Sequence, residues 1–421
     1  MAAYTQSEDM QAVQFHPPKY DVRVERVALP RIEHPDDAIV KIKLAGLCGS
    51  DLHTYRGTEV ADRVHICGHE FVGEVVALGD SFGKSVEGRP KLYESLKIGD
   101  KVVSPFTTNC GECSVCHLGF TCRCKSSLLF GSPALQGAQA QYIRVPHAGG
   151  TLFNLSDASL TDAQKSIADS SLMLLGDILP TGMFAAAQAL NHPKLQADLS
   201  GKPWPACLET STPAEGASAK TTLSFAVIGL GPVGVCAVIA LLDMLVQRDV
   251  SYFVVAVDPN PLRRQKMEAI LAALGPDGKG NGRVVVESID GAKELVQKET
   301  ETGCSAVLEI VGNTSALKLA YDLVRPFGVI SSVGVHSTAS LPLNGDDFYS
   351  KNLSMDFGRC PARAMIPMAF DLLVKRQDIF GSIGKEASLV DSIVGLDSAV
   401  ESYQQFDKGE SGKILFDPWR E

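Results

Sequence analysis

The chain has 421 residues, of which 45% are hydrophobic and 21% are charged, and its mean hydropathy is +0.07. This composition is typical of a globular protein and excludes collagen-like, fibrous and disordered chains, while the length indicates two domains. The formal net charge of −10 and the lack of a dense basic cluster argue against nucleic acid as a partner. Residues 1–19 hold no apolar stretch behind a positive start, and no apolar run reaches the length of about 18 residues that a membrane span needs. We therefore expect a cytoplasmic protein with no membrane segment.

The first third of the chain has the pattern of a β domain. Short β-branched runs are separated by clusters of Gly, Pro and Asp, which is typical of strands joined by turns. The predicted strands are Val22–Val27, Ala38–Leu44, Phe71–Leu78, Lys101–Ser104 and Gln141–Val145. The segment Ser81–Lys97 is predicted to lengthen a hairpin connection.

From Phe225 onwards, apolar strands alternate with amphipathic helices. The predicted strands are Phe225–Ile228, Tyr252–Val257, Arg283–Val286, Ala306–Ile310, Val329–Val335 and Gly395–Leu396, and the predicted helices are a stretch ending at Leu245, Arg263–Leu274 and Ser315–Val324. This alternation predicts an open, doubly wound parallel sheet. Before it lies the Pro- and Gly-containing stretch His192–Thr222, which is predicted to be an inserted surface loop.

Four cysteines, Cys110, Cys113, Cys116 and Cys124, lie close together in sequence. The chain is long and its cysteines total eleven, an odd number, so metal binding is a better interpretation than disulfides. Four thiolates in one loop can close a tetrahedral shell around a zinc ion, and a closed shell has a structural role. Cys122 competes with Cys124 on proximity alone. A reduced loop without metal is the alternative, but its exposed thiolates would be prone to oxidation.

A second group of candidate metal ligands is scattered along the chain. Cys48 lies in the segment Cys48–His53, His69 lies between Gly68 and Glu70, and Asp177 follows Gly176 far downstream. A catalytic zinc site needs three protein ligands and one replaceable position. Each residue alone is more often part of a core, but their presence beside the four-cysteine loop favours a metal site.

The segment Gly229–Gly234 has the spacing of a dinucleotide-binding turn and stands between an apolar strand and an apolar helix. Gly229 permits the tight turn, Gly231 lets the backbone approach the pyrophosphate, and Gly234 lets helix and strand pack closely. Pro232 and Val233 complete the turn. Asp258 ends the next predicted strand, where its carboxylate can accept hydrogen bonds from the adenosine ribose.

Together these motifs resemble the zinc-dependent medium-chain alcohol dehydrogenases, on the formaldehyde dehydrogenase-like and threonine or polyol dehydrogenase side of that family. Matching segments cover almost the whole chain: Gly46–His53, Gly68–Glu70, Gly99–Val102, the four-cysteine loop, Asp177–Gly182, Val333–Val335 and Gly358–Arg363. The resemblance implies a GroES-like β catalytic domain over 1–178, a Rossmann NAD-binding domain over 179–340, and a return to the catalytic domain over 341–421.

The resemblance also implies the metal ligands. The family's structural zinc spacing of three, three and eight residues selects Cys124 rather than Cys122. The third catalytic ligand is implied to be Asp177, at a position where ordinary alcohol dehydrogenases have a cysteine, so their substrate range is not expected to transfer unchanged. Glu70 is implied as an alternate ligand or as a residue that tunes the ion. We thus expect two zinc ions per chain.

For the cofactor, the resemblance implies contacts from Val333, Gly334 and Val335 to the nicotinamide, and a contribution from Arg359. Asp258 predicts NAD rather than NADP, because a 2′-phosphate would bring negative charge against its carboxylate. Arg263 is expected to contact the ribose, although it and its neighbour Arg264 are also the residue type that holds a 2′-phosphate.

The predicted reaction is reversible oxidation of an alcohol to an aldehyde or ketone, with zinc polarising the substrate oxygen and hydride passing to the nicotinamide. Ser50 is expected to take the alcohol proton and pass it through the cofactor ribose to His53, while Asp51 orients His69. The expected partners are a small alcohol or aldehyde and further copies of the chain in a homodimer or homotetramer. Plausible substrate neighbours are Phe106, Thr107, Phe130 and Leu135.

Two alternatives remain at this point. One is a zinc-free quinone or enoyl reductase of the same superfamily, and the other is a catalytically silent nucleotide-binding protein with a regulatory role. The first lacks zinc ligands, and the second is expected to have lost Cys48, Ser50 or His69, whereas this chain has all of them.

Overall fold

The computed structural model describes residues 8–205, 207, 222–337 and 340–420. They divide into two compact units, and we call the first unit 1 (Met1–Pro180 with Pro361–Glu421) and the second unit 2 (Thr181–Cys360).

The described residues form sixteen strands and sixteen α-helices, many of the helices being single turns. The strands are β1 (Asp9–Phe15), β2 (Val22–Ala28), β3 (Ala38–Gly46), β4 (His65–Ile66), β5 (Phe71–Leu78), β6 (Lys101–Ser104), β7 (Tyr142–Val145), β8 (Phe153–Asn154), β9 (Leu223–Ile228), β10 (Tyr252–Val257), β11 (Gly282–Glu287), β12 (Cys304–Glu309), β13 (Val324–Ser332), β14 (Ser354–Phe357), β15 (Val390–Gly395) and β16 (Lys413–Asp417). The helices are α1 (Asp51–Tyr55), α2 (Leu92–Ser95), α3 (Ser114–His117), α4 (Ala148–Thr151), α5 (Asp162–Lys165), α6 (Asp169–Leu172), α7 (Ile178–Asn191), α8 (Gln196–Ser200), α9 (Pro232–Gln247), α10 (Pro261–Leu274), α11 (Ile289–Glu299), α12 (Thr314–Leu323), α13 (Gly345–Lys351), α14 (Ala362–Lys375), α15 (Gln377–Phe380) and α16 (Ala399–Lys408).

Unit 1 is built on two sheets. The larger has the order β15-β16-β3-β5-β6-β8, with β7 also paired to β3, and the smaller has the order β2-β1-β4. Apolar side chains of β3, β5 and β6 pack into one core with the buried Phe130 and Leu135. β5 and β6 are antiparallel, which confirms that the segment Ser81–Lys97 lengthens a hairpin connection.

Unit 2 is a six-stranded parallel sheet with the order β11-β10-β9-β12-β13-β14. Every residue of β9, β10 and β12 is buried, as expected for central strands that are covered on both faces. The strand order reverses between β9 and β12, and this reversal is the place where doubly wound sheets bind nucleotides. The predicted doubly wound parallel sheet is confirmed.

The end of the sheet differs from the sequence prediction. The sixth strand is β14, a partly exposed edge strand that contains Ser354 and Asp356 and therefore lacks an apolar signature. Of the predicted strand at Gly395–Leu396, Gly395 ends β15, which pairs with β16 in unit 1, and Leu396 begins a 3-10 turn. Unit 2 accordingly runs to Cys360, beyond the expected boundary at residue 340, because β14 completes its sheet.

Of the predicted loop His192–Thr222, residues 206 and 208–221 lie outside the described residues, and the part before them includes the short helix α8. No single helix in the described part of the chain has both the length and the apolarity of a membrane span. Only the bent pair Asp169–Gly176 and Ile178–Asn191 meets those criteria when its two parts, 51° apart, are joined.

Candidate active site and metal centres

Three residues from distant parts of unit 1 form a buried cluster of metal-binding atoms. The ligand atoms of Cys48, His69 and Asp177 lie within 4.8 Å of one another. Asp177 Oδ2 is 3.3 Å from His69 Nε2 and 3.4 Å from Cys48 Sγ. Two ligands of one tetrahedral zinc ion stand about 3.3–3.8 Å apart, given the usual bond lengths. The cluster therefore fits a single zinc ion and leaves one coordination position for a small molecule.

The sheet of unit 1 brings the first two ligands together. β3 and β5 are antiparallel with Ala45 opposite Phe71, and the Gly46 N–H donates to the Glu70 carbonyl oxygen at 3.0 Å. Cys48 and His69 lie just beyond these paired ends. Asp177 arrives separately, from the break between the 3-10 turn Met173–Gly176 and α7.

Asp51 fixes the His69 side chain and the backbone of Cys48. Its Oδ1 is 3.1 Å from His69 Nδ1, and its Oδ2 accepts the backbone N–H of Cys48 at 2.9 Å. Burial opposes charge on His69, but the carboxylates of Asp51 and Asp177 outweigh this effect and raise the pKa of the imidazole. Burial raises the pKa of the Cys48 thiol, and nearby carboxylates add to the effect. The pocket thus favours positive charge, which a bound zinc ion supplies.

Of the two predicted proton-transfer residues, Ser50 lies next to this cluster. Ser50 Oγ is 3.1 Å from His69 Nε2 and 3.3 Å from Cys48 Sγ. His53 lies one turn further on, in α1, where its backbone N–H donates to the Ser50 carbonyl oxygen. Burial lowers the pKa of His53, so its imidazole is neutral at pH 7 and can accept a proton.

Glu70 lies outside the cluster of metal-binding atoms, although the sequence suggested it as an alternate ligand. Its Oε2 instead forms a hydrogen-bonded ion pair with Lys413 Nζ, and both side chains are fully buried. Lys413 also donates to the Leu47 carbonyl oxygen at 3.0 Å. Burial opposes charge on the amine, but the charge and hydrogen bond of Glu70 together with the nearby Cys48 and Asp177 raise the pKa of Lys413. The other oxygen, Glu70 Oε1, has no hydrogen-bond partner.

Sequence analysis missed Lys413. It begins an apolar strand near the end of the chain, a position where a lysine ordinarily faces solvent. The available signal was a lysine that directly precedes the apolar run Ile414–Phe416, but it does not say which carboxylate the lysine meets.

The four-cysteine loop forms a second cluster in unit 1. The sulfurs of Cys110, Cys113, Cys116 and Cys124 lie within 4.8 Å of one another, with Cys124 Sγ 3.5 Å from Cys110 Sγ and 4.0 Å from Cys113 Sγ. Hydrogen bonds from backbone N–H groups lower the pKa of the Cys113 thiol to about 6, which favours the thiolate that binds zinc. Cys122 is buried in a 3-10 turn and does not join the cluster.

Arg89, in the inserted connection between β5 and β6, supports the four-cysteine loop through an ion pair. Arg89 donates to Glu112 at 2.6 Å, lies 2.9 Å from Asp36, and stacks on the Tyr93 ring at 3.7 Å. Since Glu112 lies between the first two cysteines of the loop, Arg89 joins the loop to the body of unit 1.

The glycine-rich turn of unit 2 has the geometry of an anion-binding turn. Gly229 has φ of +95°, which strongly favours glycine. A Cβ at Gly231 would meet no atom within 4 Å, which leaves room for a ligand, whereas one at Gly234 would lie 1.8 Å from the Gly229 carbonyl oxygen. α9 begins at Pro232 with no side-chain cap, so the backbone N–H groups of its first turn remain available for an anion. Val233 lies in the same turn and is partly buried.

Asp258 directly follows β10 and is buried beside this turn. Its Oδ2 accepts the Leu230 N–H at 2.7 Å and its Oδ1 accepts the Asn260 N–H at 2.8 Å. Arg263 approaches the same carboxylate, at 3.6 Å. Arg264 donates to the backbone carbonyl oxygens of residues 258 and 259. Both arginines therefore have partners within unit 2.

The remaining predicted cofactor residues lie at or near the carboxyl edge of the same sheet. Val333, Gly334 and Val335 follow β13 directly, and Gly334 is packed so closely that an added Cβ would lie 2.1 Å from the backbone nitrogen of Gly312. Arg359 follows β14 and is partly buried.

The suggested substrate neighbours separate into two groups. Phe106 lies edge-on to the imidazole of His69, with ring centroids 6.4 Å apart, and Thr107 beside it is buried. Phe130 and Leu135 belong to the apolar core of unit 1.

Family models match both parts of the chain. Residues 34–157 match the alcohol dehydrogenase GroES-like domain, and residues 232–386 match the zinc-binding dehydrogenase domain. Zinc-type alcohol dehydrogenase B of Aspergillus flavus is 38% identical over 407 residues, which cover 97% of this chain and 81% of that protein. The chain belongs to the zinc-dependent medium-chain alcohol dehydrogenase family. The predicted GroES-like and Rossmann-type domains are thereby confirmed.

Two further members of this family illustrate its range. The alcohol dehydrogenase TADH of Thermus sp. ATN1 has 30% sequence identity and a TM-score of 0.73, with 97% of this chain and 99% of that one covered. Formaldehyde dismutase of Pseudomonas putida is 28% identical, with 94% of this chain and 95% of that protein covered. As a member of the family, the protein is a zinc-dependent oxidoreductase that acts on alcohols. The zinc-free reductase and the silent nucleotide-binding protein are not favoured.

Proposed function

We propose that the protein is an NAD-dependent dehydrogenase of small alcohols or of formaldehyde-type substrates, with one catalytic and one structural zinc ion per chain. The observation that carries the proposal is the buried cluster of ligand atoms from Cys48, His69 and Asp177, which lies beside the hydroxyl of Ser50. Three ligands of this kind leave one position on a zinc ion for the substrate oxygen.

The residues of unit 1 have separable tasks in this proposal. Zinc held by Cys48, His69 and Asp177 supplies a Lewis acid that polarises the substrate oxygen. Asp51 accepts hydrogen bonds from the His69 ring and from the Cys48 backbone, which fixes both ligands. Ser50 Oγ accepts the proton of the alcohol. His53, neutral because burial lowers its pKa, is the final acceptor on the protein.

The choice of NAD over NADP rests on Asp258. Its carboxylate is buried and held by backbone N–H groups, so it cannot easily turn away from a ligand. A ribose hydroxyl can donate to such a carboxylate, whereas a 2′-phosphate would be repelled. Arg263 approaches Asp258 Oδ2 and Arg264 is engaged with backbone carbonyl oxygens, so neither arginine is a dedicated phosphate ligand.

The formaldehyde-type substrate is supported by the third ligand and by a relative. Asp177 stands where the ordinary alcohol dehydrogenase branch has cysteine, and formaldehyde dismutase of Pseudomonas putida aligns with 94% of this chain. Phe106, edge-on to His69, adds an apolar neighbour to the site.

A substrate panel on the purified protein tests the proposal. The panel contains formaldehyde, primary and secondary alcohols, polyols and threonine, each with NAD and with NADP, and zinc is counted per chain by elemental analysis. We expect two zinc ions, reduction of NAD, and the highest kcat/KM with formaldehyde or a small alcohol. A protein with no zinc that reduces quinones or enoyl compounds would overturn the proposal.

The variant Asp258→Ser tests the cofactor assignment separately. We expect a gain in kcat/KM with NADP and a loss with NAD, because the repelled phosphate is admitted while the ribose contact is lost. Equal or better use of NADP by the wild type would reject NAD as the cofactor. No gain with NADP in the variant would remove Asp258 as the cause of the preference.

We also propose that the protein is a cytoplasmic homodimer or homotetramer, on the strength of the family resemblance. Light scattering after size-exclusion chromatography measures the number of chains, and a monomer would contradict this assignment.

A further inference from the structure

A buried carboxylate in unit 2, Glu309, has hydrogen-bond donors on both oxygens. It ends β12, and its Oε1 accepts the backbone N–H groups of Val311 and Gly312 at 2.9 and 2.8 Å. Its Oε2 accepts the Ser332 hydroxyl at 2.7 Å and lies 3.1 Å from His336 Nε2. Because a carboxylate only accepts, Nε2 carries the hydrogen of that contact. Every near neighbour of the carboxylate is thus a donor.

The four donors belong to two loops that follow adjacent strands. Val311 and Gly312 follow β12, while Ser332 ends β13 and His336 lies four residues further on. The loops touch backbone to backbone, since a Cβ on Gly312 would lie 2.4 Å from the backbone nitrogen of Val335. Glu309 therefore holds together two segments that have almost no space between them.

The same contacts reach the phosphate-binding turn. A Cβ added to Gly229 would lie 2.6 Å from Cγ2 of Val311, so the loop after β12 also packs on the turn after β9. The loops after β9, β12 and β13 all leave the carboxyl edge of one parallel sheet, the edge where such sheets bind nucleotides. His336 is further confined by the ring of Phe357, with centroids 4.6 Å apart.

We infer that Glu309, with His336 and Ser332, positions the backbone of Val333–Val335 against the nicotinamide half of the cofactor. This inference rests on the proposed dinucleotide cofactor. Glu309 is a positioning residue, because both oxygens of its carboxylate are hydrogen-bonded to the two loops. Its effect on the cofactor is transmitted by the segment that it fixes, and the adenosine half depends on Asp258 instead.

The substitution Glu309→Gln challenges the cluster with little change in volume. Glutamine has an amide NH2 in place of one oxygen, and each side of Glu309 is occupied by donors. If the amide NH2 faces Val311 and Gly312, their backbone N–H groups lose their acceptor. If it faces Ser332 and His336, both must become acceptors, and neither can then donate to residue 309 as it does in the wild type. Either outcome weakens the connection between the loop after β12 and the loop after β13.

Two ligands distinguish a role in positioning the nicotinamide half of the cofactor from a role in the stability of the whole binding site. NADH contains the nicotinamide, and ADP-ribose lacks it, so calorimetric dissociation constants for the full zinc-loaded protein separate the two halves of the site. For Glu309→Gln we expect NADH binding to weaken roughly tenfold, the equivalent of one good hydrogen bond, while ADP-ribose binding stays within about twofold. The matched control is Glu299→Gln, which removes a surface ion pair to Arg283 in the same unit and is expected to change neither constant.

A pair of variants at His336 keeps the test decisive if Glu309→Gln does not fold. His336→Leu removes the donor and is expected to weaken NADH binding selectively, whereas His336→Gln retains an N–H donor and is expected to restore most of the affinity. The melting temperature without ligand reports any purely structural effect.

Equal loss of NADH and ADP-ribose affinity, or unchanged NADH affinity in both Glu309→Gln and His336→Leu, would overturn the inference while leaving the proposed function intact. A wild-type protein that binds neither NADH nor ADP-ribose would overturn the proposed cofactor, and the inference with it.

Discussion

The two metal centres of unit 1 draw their atoms from the chain in opposite ways. The sulfurs of the four-cysteine centre come from one loop whose ends, Cys110 and Cys124, are 14 residues apart. The other centre joins His69 and Cys48 to Asp177 across 108 and 129 residues. The first site depends on local spacing, and the second depends on the pairing of β3 with β5 and on the position of the turn that holds Asp177.

The centres also differ in what surrounds them. The four cysteines fill a tetrahedral shell, and charged residues such as Arg89 and Glu112 support the loop from outside. The three-ligand centre is buried and has the Ser50 hydroxyl beside it, with Asp51 fixing its ligands. A closed shell is suited to holding a loop in place, whereas an incomplete shell with a hydroxyl beside it is suited to binding and changing a substrate.

The largest expected effect concerns the incomplete shell. Asp177→Ala removes one of three ligands, so we expect kcat/KM to fall by at least about a thousandfold, since a Lewis acid at the reacting oxygen is worth several kcal/mol. Elemental analysis should show one zinc ion per chain instead of two, with the melting temperature nearly unchanged. Asp162→Ala, at an exposed helix start in unit 1, is the control. If Asp177→Ala kept its full zinc content and activity while Glu70→Ala lost both, Glu70 rather than Asp177 would be the third zinc ligand.

Loss of a ligand from the four-cysteine centre should lower the stability of the protein rather than its catalytic rate. Cys113→Ser is expected to lower the melting temperature by about 10 °C, because the metal's binding free energy is part of the folding free energy. Chains that remain folded at 25 °C should retain their kcat. Cys122→Ser is the matched control, since this buried cysteine lies outside the cluster. Normal stability and full zinc content in Cys113→Ser would contradict a structural centre.

A third prediction concerns the buried ion pair of Glu70 and Lys413, in which Glu70 follows the ligand His69 in sequence but lies outside the cluster of metal-binding atoms. Lys413→Met leaves Glu70 as a buried carboxylate without its counter-charge, and we expect the free energy of unfolding to fall by about 3–5 kcal/mol. The double variant Glu70→Gln with Lys413→Met should recover most of this loss. Denaturant titration of the four proteins measures the coupling. Additive losses would mean that the two residues do not act as a pair.

The smallest expected effect concerns proton transfer. For His53→Ala we expect kcat for alcohol oxidation to fall about tenfold near pH 7, because a positioned acceptor is lost. Burial lowers the pKa of His53 from its ordinary value of 6.5, so the wild type should keep activity below pH 6.5 and lose it as protonation removes the acceptor. The variant should lack this acidic limb. An unchanged pH profile would remove His53 from the proton path.

The sequence by itself determined the elements whose signals are local. The four-cysteine loop, the glycine-rich turn and most strands follow from spacing and from runs of apolar residues. For example, the strand predicted at Tyr252–Val257 has those bounds in the structure. The physical reason is that a loop ligand shell, a tight turn and a buried strand each satisfy their main requirement within a few consecutive residues.

Tertiary structure decided the contacts between distant segments. Only the folded chain shows that Glu70 is paired with Lys413, 343 residues away, while Asp177, which lies between a 3-10 turn and α7, is the carboxylate that meets His69. The edge strand β14 is four residues long and has no run of apolar residues, and its place emerges only from its pairing with β13. The four donors around Glu309 are likewise gathered by two adjacent strands. Such contacts depend on which segments the folded chain brings side by side, and a pattern of neighbouring residues does not encode this.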